Sequence, residues 1–83
     1  MSRRIELAAS VAKDVRGLPA VDLARIREAI DRLGADPMPA SSKALRGEAG
    51  WYRVRVGDYR VVYRFDAECV TIDRVQHRRE VYR

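Results

Sequence analysis

"WYRVRVGDYRVVYRF", residues 51–65, decides how this chain folds. Apolar and polar residues alternate on both sides of Gly57-Asp58, the pattern of two half-buried strands joined by a tight turn. A two-residue loop with glycine first suits a type II′ turn, because glycine takes the positive φ that this position needs. The register follows: Val56 faces Tyr59, Arg55 faces Arg60, Val54 faces Val61 and Arg53 faces Val62. One face then holds Tyr52, Val54, Val56, Tyr59, Val61 and Tyr63, a natural core surface. The other holds Arg53, Arg55, Arg60 and Arg64. Like charges directly opposite each other cost stability, where an opposite-charge or aromatic pair would contribute about 0.2–1 kcal/mol. Two accounts compete for that arrangement. In one, the arginines make a solvated face neutralised by carboxylates such as Asp58, Asp66 or Asp73. In the other they await an anion, since planar guanidinium forks match phosphate oxygens bidentately.

Outward from the hairpin, "CVTIDRV" reads as a third strand, reached through Asp66-Ala67-Glu68. Upstream, "ADPMPASSKALRGEAG" is rich in Pro, Ser, Ala and Gly and reads as a loop between helices and strands. Before it, "PAVDLARIREAIDRLGADP" places Leu23, Ile26, Ile30 and Leu33 at helical spacing, with Pro19 at its start and Gly34 and Pro37 to end it. Its mixed-sign face, Arg25, Arg27, Glu28, Asp31 and Arg32, is a solvated helix surface. "AASVAKDVRGL" predicts a shorter helix with Ala8, Ala12, Val15 and Leu18 inward and Ser10 at or near its first turn. "RRIEL" is a candidate edge strand. Helices first and hairpin-linked strands after predict an α+β fold: two N-terminal helices packed on a small, mainly antiparallel twisted sheet.

With 83 residues the chain is expected to form one domain, 1–83, burying roughly 60% of the surface its unfolded form exposes. Hydrophobic residues make up 47% and charged residues 35%, a balance that suits a folded chain rather than a disordered one. A single cysteine, Cys69, excludes an intrachain disulfide or a cysteine metal site, and its apolar surroundings predict a buried small hydrophobe. No apolar run approaches a membrane span and no signal segment opens the chain, so a cytoplasmic location is expected. The net charge is +5, and residues 42–83 carry 10 basic against 6 acidic side chains, compared with 7 against 6 before them. The strand half therefore holds the positive field, which favours a polyanionic partner. Zinc-spaced Cys/His clusters, a glycine-rich phosphate loop and a Ser/His/Asp set are all missing, and acidic residues are scattered singly.

The order "KALRG", "WYRVRVGDYRVVYRF" and "RVQHRREVY" after two helices resembles the RelE/ParE superfamily of bacterial toxins, most of all its RelE-type branch. The resemblance implies the toxin of a type II toxin–antitoxin system: a ribosome-dependent endoribonuclease that cleaves messenger RNA in the A site and is silenced by a cognate antitoxin in a hetero-oligomer. It implies attack of the ribose 2′-hydroxyl on the adjacent phosphate, with neither metal nor other cofactor. Carried over by position, the family's site falls on Arg53, Arg55, Arg60, Arg78 and Tyr82. Lys43 and Arg46 fall in the loop such proteins direct at ribosomal RNA, and Arg64 joins them as an RNA-binding side chain. Arg53 and Arg55 stand where some relatives have Lys, which leaves the site without an evident general base. His77 is a candidate for that role, but strand alternation points it away from Arg78. The chain also stops at Arg83, before the trailing helix that relatives often carry. The competing functions are a ParE-like inhibitor of DNA gyrase and a catalytically silent member of the fold that binds RNA or antitoxin.

Overall fold

The computed structural model describes residues 2–81, with side chains through residue 79. Five strands, β1 (Arg4–Leu7), β2 (Lys43–Ala44), β3 (Tyr52–Val56), β4 (Tyr59–Phe65) and β5 (Cys69–His77), form one sheet in the order β1-β5-β4-β3-β2. The helices are α1 (Ala9–Asp14), α2 (Ala20–Ala35) and a single turn, α3 (Arg78–Val81). This is the α+β arrangement expected, with "RRIEL" forming the edge strand. β1 pairs parallel to β5, from which α1, α2 and three strands separate it in sequence, whereas β2 to β5 are antiparallel. Two elements lie outside the expectation: the two-residue β2 inside the loop, and α3.

The hairpin register is the one the turn dictates. Val56 pairs with Tyr59, Arg55 with Arg60, Val54 with Val61 and Arg53 with Val62. Gly57 has φ of 59°, and no residue other than glycine has positive φ among those described, so Asp58 follows in the way a type II′ turn requires. Tyr52, Val54, Val56, Tyr59, Val61 and Tyr63 pack with Ile26, Ile30 and Leu33 of α2 and with Val70, Ile72 and Val75 of β5. Cys69 is buried, as expected of a small hydrophobe.

Three details correct the helical expectations. Leu23 is 41% exposed, because the buried stripe of α2 starts one turn later, at Ile26. In α1 the buried position is Val11 rather than Ala12: Ala8, Val11 and Val15 fill one stripe of a six-residue helix, and Ala12 lies outside it. Gly34 does not end α2. The helix continues to Ala35, and Gly34 is there because β1 passes so close that a Cβ would meet the Arg3 carbonyl oxygen at 3.1 Å and Ile5 Cδ1 at 3.2 Å. The Gly34 carbonyl in turn accepts the Arg3 N–H at 2.7 Å.

The loop before β3 is held from beneath. The Tyr63 hydroxyl, buried in the core, donates to the Pro37 carbonyl and meets the Ser42 hydroxyl, both at 2.6 Å. Burial raises the Tyr63 pKa above its ordinary value, reinforced by the charges of Asp36 and Tyr52 and opposed by the Ser42 hydrogen bond. Among the described residues no helix is long and apolar enough to cross a membrane.

Candidate nucleic-acid interface

The face of the sheet turned away from α1 and α2 is cationic. Its rows follow from the register: Lys43 on β2 beside Arg53 on β3, Arg55 beside Arg60 on β4, and Arg64 two positions beyond Val62. Hydrogen-bonded strands force these neighbours together, since paired residues share a face. Val62 sits between Arg53 and Arg74 across the strands and is fully buried although it lies on this face.

Arg74 joins the face through a bulge. Val61 pairs with Val75 and Tyr63 with Ile72, both pairs on the core side, so one residue of β4, Val62, spans two of β5, Asp73 and Arg74. The bulge is pinned by α1: the Ser10 hydroxyl donates to the Asp73 carbonyl at 2.6 Å, and the Asp14 carboxylate accepts the Val75 N–H at 2.9 Å. Ser10 lies in the first turn of α1, as expected, but its hydroxyl serves the sheet rather than the helix end. The reading from sequence missed Arg74. Its signal was the consecutive pair Asp73-Arg74, which breaks the alternation of "CVTIDRV" and so marks an extra residue.

The loop Leu45–Trp51 folds over this face. The Leu45 N–H bonds the Trp51 carbonyl at 2.8 Å, and Gly47 and Gly50 take positive φ of 81° and 83° to make the reversal. It touches the strands at both ends: the Arg64 guanidinium stacks over the Trp51 ring, 5.2 Å from its centroid, and the Arg74 guanidinium bonds the Glu48 carboxylate at 3.1 Å. Between loop and strands lies an open cavity of about 470 Å³ lined by Leu45, Arg46, Gly47, Glu48, Arg60, Arg74 and Gln76. Partial burial alone would lower the Arg74 pKa, but the hydrogen bonds and charges of Glu48 and Asp73 outweigh it and the net shift is upward.

The structure thus brings Arg46 and Arg60 into one cavity, with Arg55 directly across from Arg60. Lys43 and Arg53 lie along the same face, at the β2 edge. Arg64 is not among the residues lining this cavity and stacks on Trp51 instead. Arg78 stands at the turn end of the hairpin, its N–H bonding the Asp58 carbonyl at 2.7 Å and its guanidinium 3.8 Å from the Asp58 carboxylate. Tyr82 lies outside the described residues. His77 is placed with the core: its ring meets Tyr59 edge-on at 5.2 Å, and its Nδ1 accepts the Arg79 N–H at 3.1 Å.

The carboxylates offered as neutralising partners each have a defined partner. Asp73 pairs with Arg74, Asp58 with Arg78, and Asp66 accepts the N–H groups of its own turn. Among the ion pairs of the described residues none reaches Arg53 or Arg55. No group of three or more His, Cys, Asp or Glu that could hold a metal ion occurs among the described residues.

A five-stranded sheet with two helices packed on one face is a fold shared with solved toxins of toxin–antitoxin complexes. The chain belongs to the family of ParE toxins of type II toxin–antitoxin systems, whose model matches residues 5–82. Among individual relatives, it is 32% identical over 88 residues to the putative toxin RelE1 of Methanocaldococcus jannaschii, covering all of this chain and 98% of that one. To toxin RelG of Mycobacterium tuberculosis it is 34% identical over 86 residues, covering 100% and 99%. The crystal structure of the RelBE2 toxin–antitoxin complex of M. tuberculosis superposes with a TM-score of 0.79 at 33% identity, over 93% of this chain and 99% of that one.

Proposed function

We propose that this toxin is a ribosome-dependent endoribonuclease that cleaves messenger RNA in the A site and so arrests translation in the cytoplasm. The observation that carries the reading is the cavity lined by Arg46, Arg60 and Arg74 on an otherwise open sheet face. Like charges are gathered along this face, with Arg55 directly across from Arg60, which fits a surface that binds a polyanion. The relatives named RelE and RelG, matched end to end, support the same branch.

In this reading the 2′-hydroxyl attacks the adjacent phosphorus, the O–P bond to the 5′-oxygen of the next nucleotide breaks, and the oxygens of the phosphorane carry the growing charge. Arg60, with Arg55 across from it, stabilises that charge, the task for which preorganised guanidinium groups are suited. Arg78 acts from the turn end of the hairpin, Tyr82 stacks on a base, and Lys43, Arg46, Arg53 and Arg64 hold RNA backbone. With His77 packed on Tyr59, the protein supplies positioning and electrostatics, and ribosomal groups complete the proton transfers. A cognate antitoxin silences the toxin by forming a hetero-oligomer with it, as in the RelBE2 complex.

The family's own description, a ParE toxin, favours a second reading as a gyrase inhibitor that does no chemistry on nucleic acid. Induced expression with primer extension across translated and untranslated copies of one message separates the two. Cuts confined to the translated copy, and lost in Arg60→Ala and Arg78→Ala, are expected. Growth arrest without cuts would replace the proposal with the gyrase reading.

A further inference from the structure

We infer that Arg74 is a phosphate-binding residue of the RNA site, and that Glu48 is the placeholder its guanidinium holds until RNA arrives. The inference rests on the reading of the cationic face as an RNA site, but not on cleavage.

Three observations converge on it. First, the bulge at Asp73 turns Arg74 onto the face shared by Arg60 and Arg64; in an unbroken strand the alternation that buries Val70 and Ile72 would send residue 74 into the core. Ser10 and Asp14 both reach across from α1 to hold that bulge. A fold that needed only a straight strand would place an apolar residue there and no bulge.

Second, Arg74 lines the same cavity as Arg46 and Arg60, so three guanidinium groups surround one space large enough for a nucleotide phosphate and sugar. Third, the only carboxylate lining that space among the described residues is Glu48, and it sits on Arg74 at 3.1 Å, the geometry a phosphate oxygen would take. Both side chains are partly open to solvent, 31% for Arg74 and 47% for Glu48, so the pair is weak and exchangeable. Glu48 rides on a loop with glycines at 47 and 50, and swinging it off Arg74 breaks no buried contact of its own. Asp73 remains bonded to the other side of the guanidinium and fixes its plane while the outer edge changes partner.

A double-mutant cycle on purified protein tests this, using a short unstructured RNA whose 2′-hydroxyls are methylated so that binding is read without chemistry. Arg74→Ala is expected to weaken binding about tenfold and to make the salt dependence shallower by roughly 0.7 in log–log slope, the signature of one lost phosphate contact on a single strand. Arg74→Lys should keep the slope and recover part of the affinity, because it restores charge without the fork. Glu48→Gln is expected to tighten binding about threefold in the wild-type background and to change nothing once Arg74 is Ala. Arg79→Ala, a loss of one charge outside the cavity, calibrates the effect of net charge alone. The inference is overturned if Arg74→Ala matches Arg79→Ala in affinity and slope, if Glu48→Gln tightens binding equally in both backgrounds, or if the wild type does not bind RNA at low salt. Binding that depends on Arg74 in a protein that cuts no message would overturn the nuclease reading alone. Message cleavage that survives Arg74→Ala, with unchanged RNA binding, would overturn this inference alone.

Discussion

The two faces of β3 and β4 are written by the same fifteen residues and obey opposite rules. On the face toward the helices, Val54, Val61 and Tyr63 are 6%, 0% and 0% exposed, and the one polar atom of that set, the Tyr63 hydroxyl, is fully hydrogen-bonded. On the other face Arg55 stands opposite Arg60, Arg53 has no ion-pair partner among the described residues, and the covering loop touches the strands through one ion pair and one ring. The first face is closed over an apolar core, and the second turns a row of guanidinium groups away from it. Changes on the first should therefore appear in stability, and changes on the second in function.

The largest expected effect is on the second face. Arg60→Ala should lower ribosome-dependent cleavage by about 100-fold or more, as removing a preorganised charge-stabilising donor does. Its melting temperature should stay within a few degrees of wild type, since relief of repulsion with Arg55 offsets whatever the guanidinium contributes to the fold. Single-turnover cleavage beside thermal melting checks both halves, and a variant that melts early would mean that the arginine row is structural.

The converse experiment lies in the core. Leu33 of α2 is 1% exposed, and Leu33→Ala should cost about 2–5 kcal/mol, the transfer and cavity terms together. At roughly 4–8 °C per kcal/mol for a chain of this size, that is a large fall in melting temperature. Whatever fraction remains folded should bind RNA with wild-type affinity per folded molecule. Loss of affinity beyond the unfolded fraction would show that the two faces are coupled.

A smaller effect of the same kind is expected at Tyr63. Tyr63→Phe keeps the ring but leaves the Pro37 carbonyl and the Ser42 hydroxyl without their shared partner, at about 1–2 kcal/mol. Because those two bonds moor the segment that leads into β2, hydrogen exchange should quicken at residues 38–44 and not in β4. Uniform quickening across the sheet would mean that the hydroxyl stabilises the whole fold instead.

How much of this was readable beforehand depends on how local the signal is. The hairpin is specified by two adjacent residues, Gly57 and Asp58, and a strict two-residue alternation, so its register and both faces could be derived and were found as derived. Arg46 and Arg60 could be brought together only through the family resemblance, because loop Leu45–Trp51 folds back over the sheet through Glu48 and Trp51, contacts that no periodicity encodes. Arg74 was hidden by the rule that revealed the hairpin: alternation counted through "CVTIDRV" gives the wrong face after the bulge, and the bulge depends on Ser10 and Asp14, some sixty residues earlier. Gly34 misled in the same way. Its composition signal is that of a helix end, whereas its cause is the close passage of β1, a tertiary event.

The smallest effect belongs to the turn that sets β5 against β4 and thereby decides which β5 residues join which face. The Asp66 carboxylate accepts the N–H groups of Glu68 and Cys69, each at 2.8 Å. These two bonds, with help from the charges of Arg4 and Arg3 and against a minor burial penalty, hold its pKa below the ordinary carboxylate value. A carboxylate whose pKa is lower folded than unfolded favours the folded state while ionised. Its contribution is complete above the unfolded value of about 4 and disappears as pH falls through the lowered one. Asp66→Ala should therefore melt below wild type by a constant margin between pH 7 and pH 5, and the margin should close progressively below about pH 4. Salt should trim the margin only slightly, because the two hydrogen bonds rather than the charges of Arg4 and Arg3 supply most of it. A margin unchanged at pH 3 would mean that the aspartate acts through its uncharged geometry, and the register of β5 would then rest on the pinned bulge at Asp73 alone.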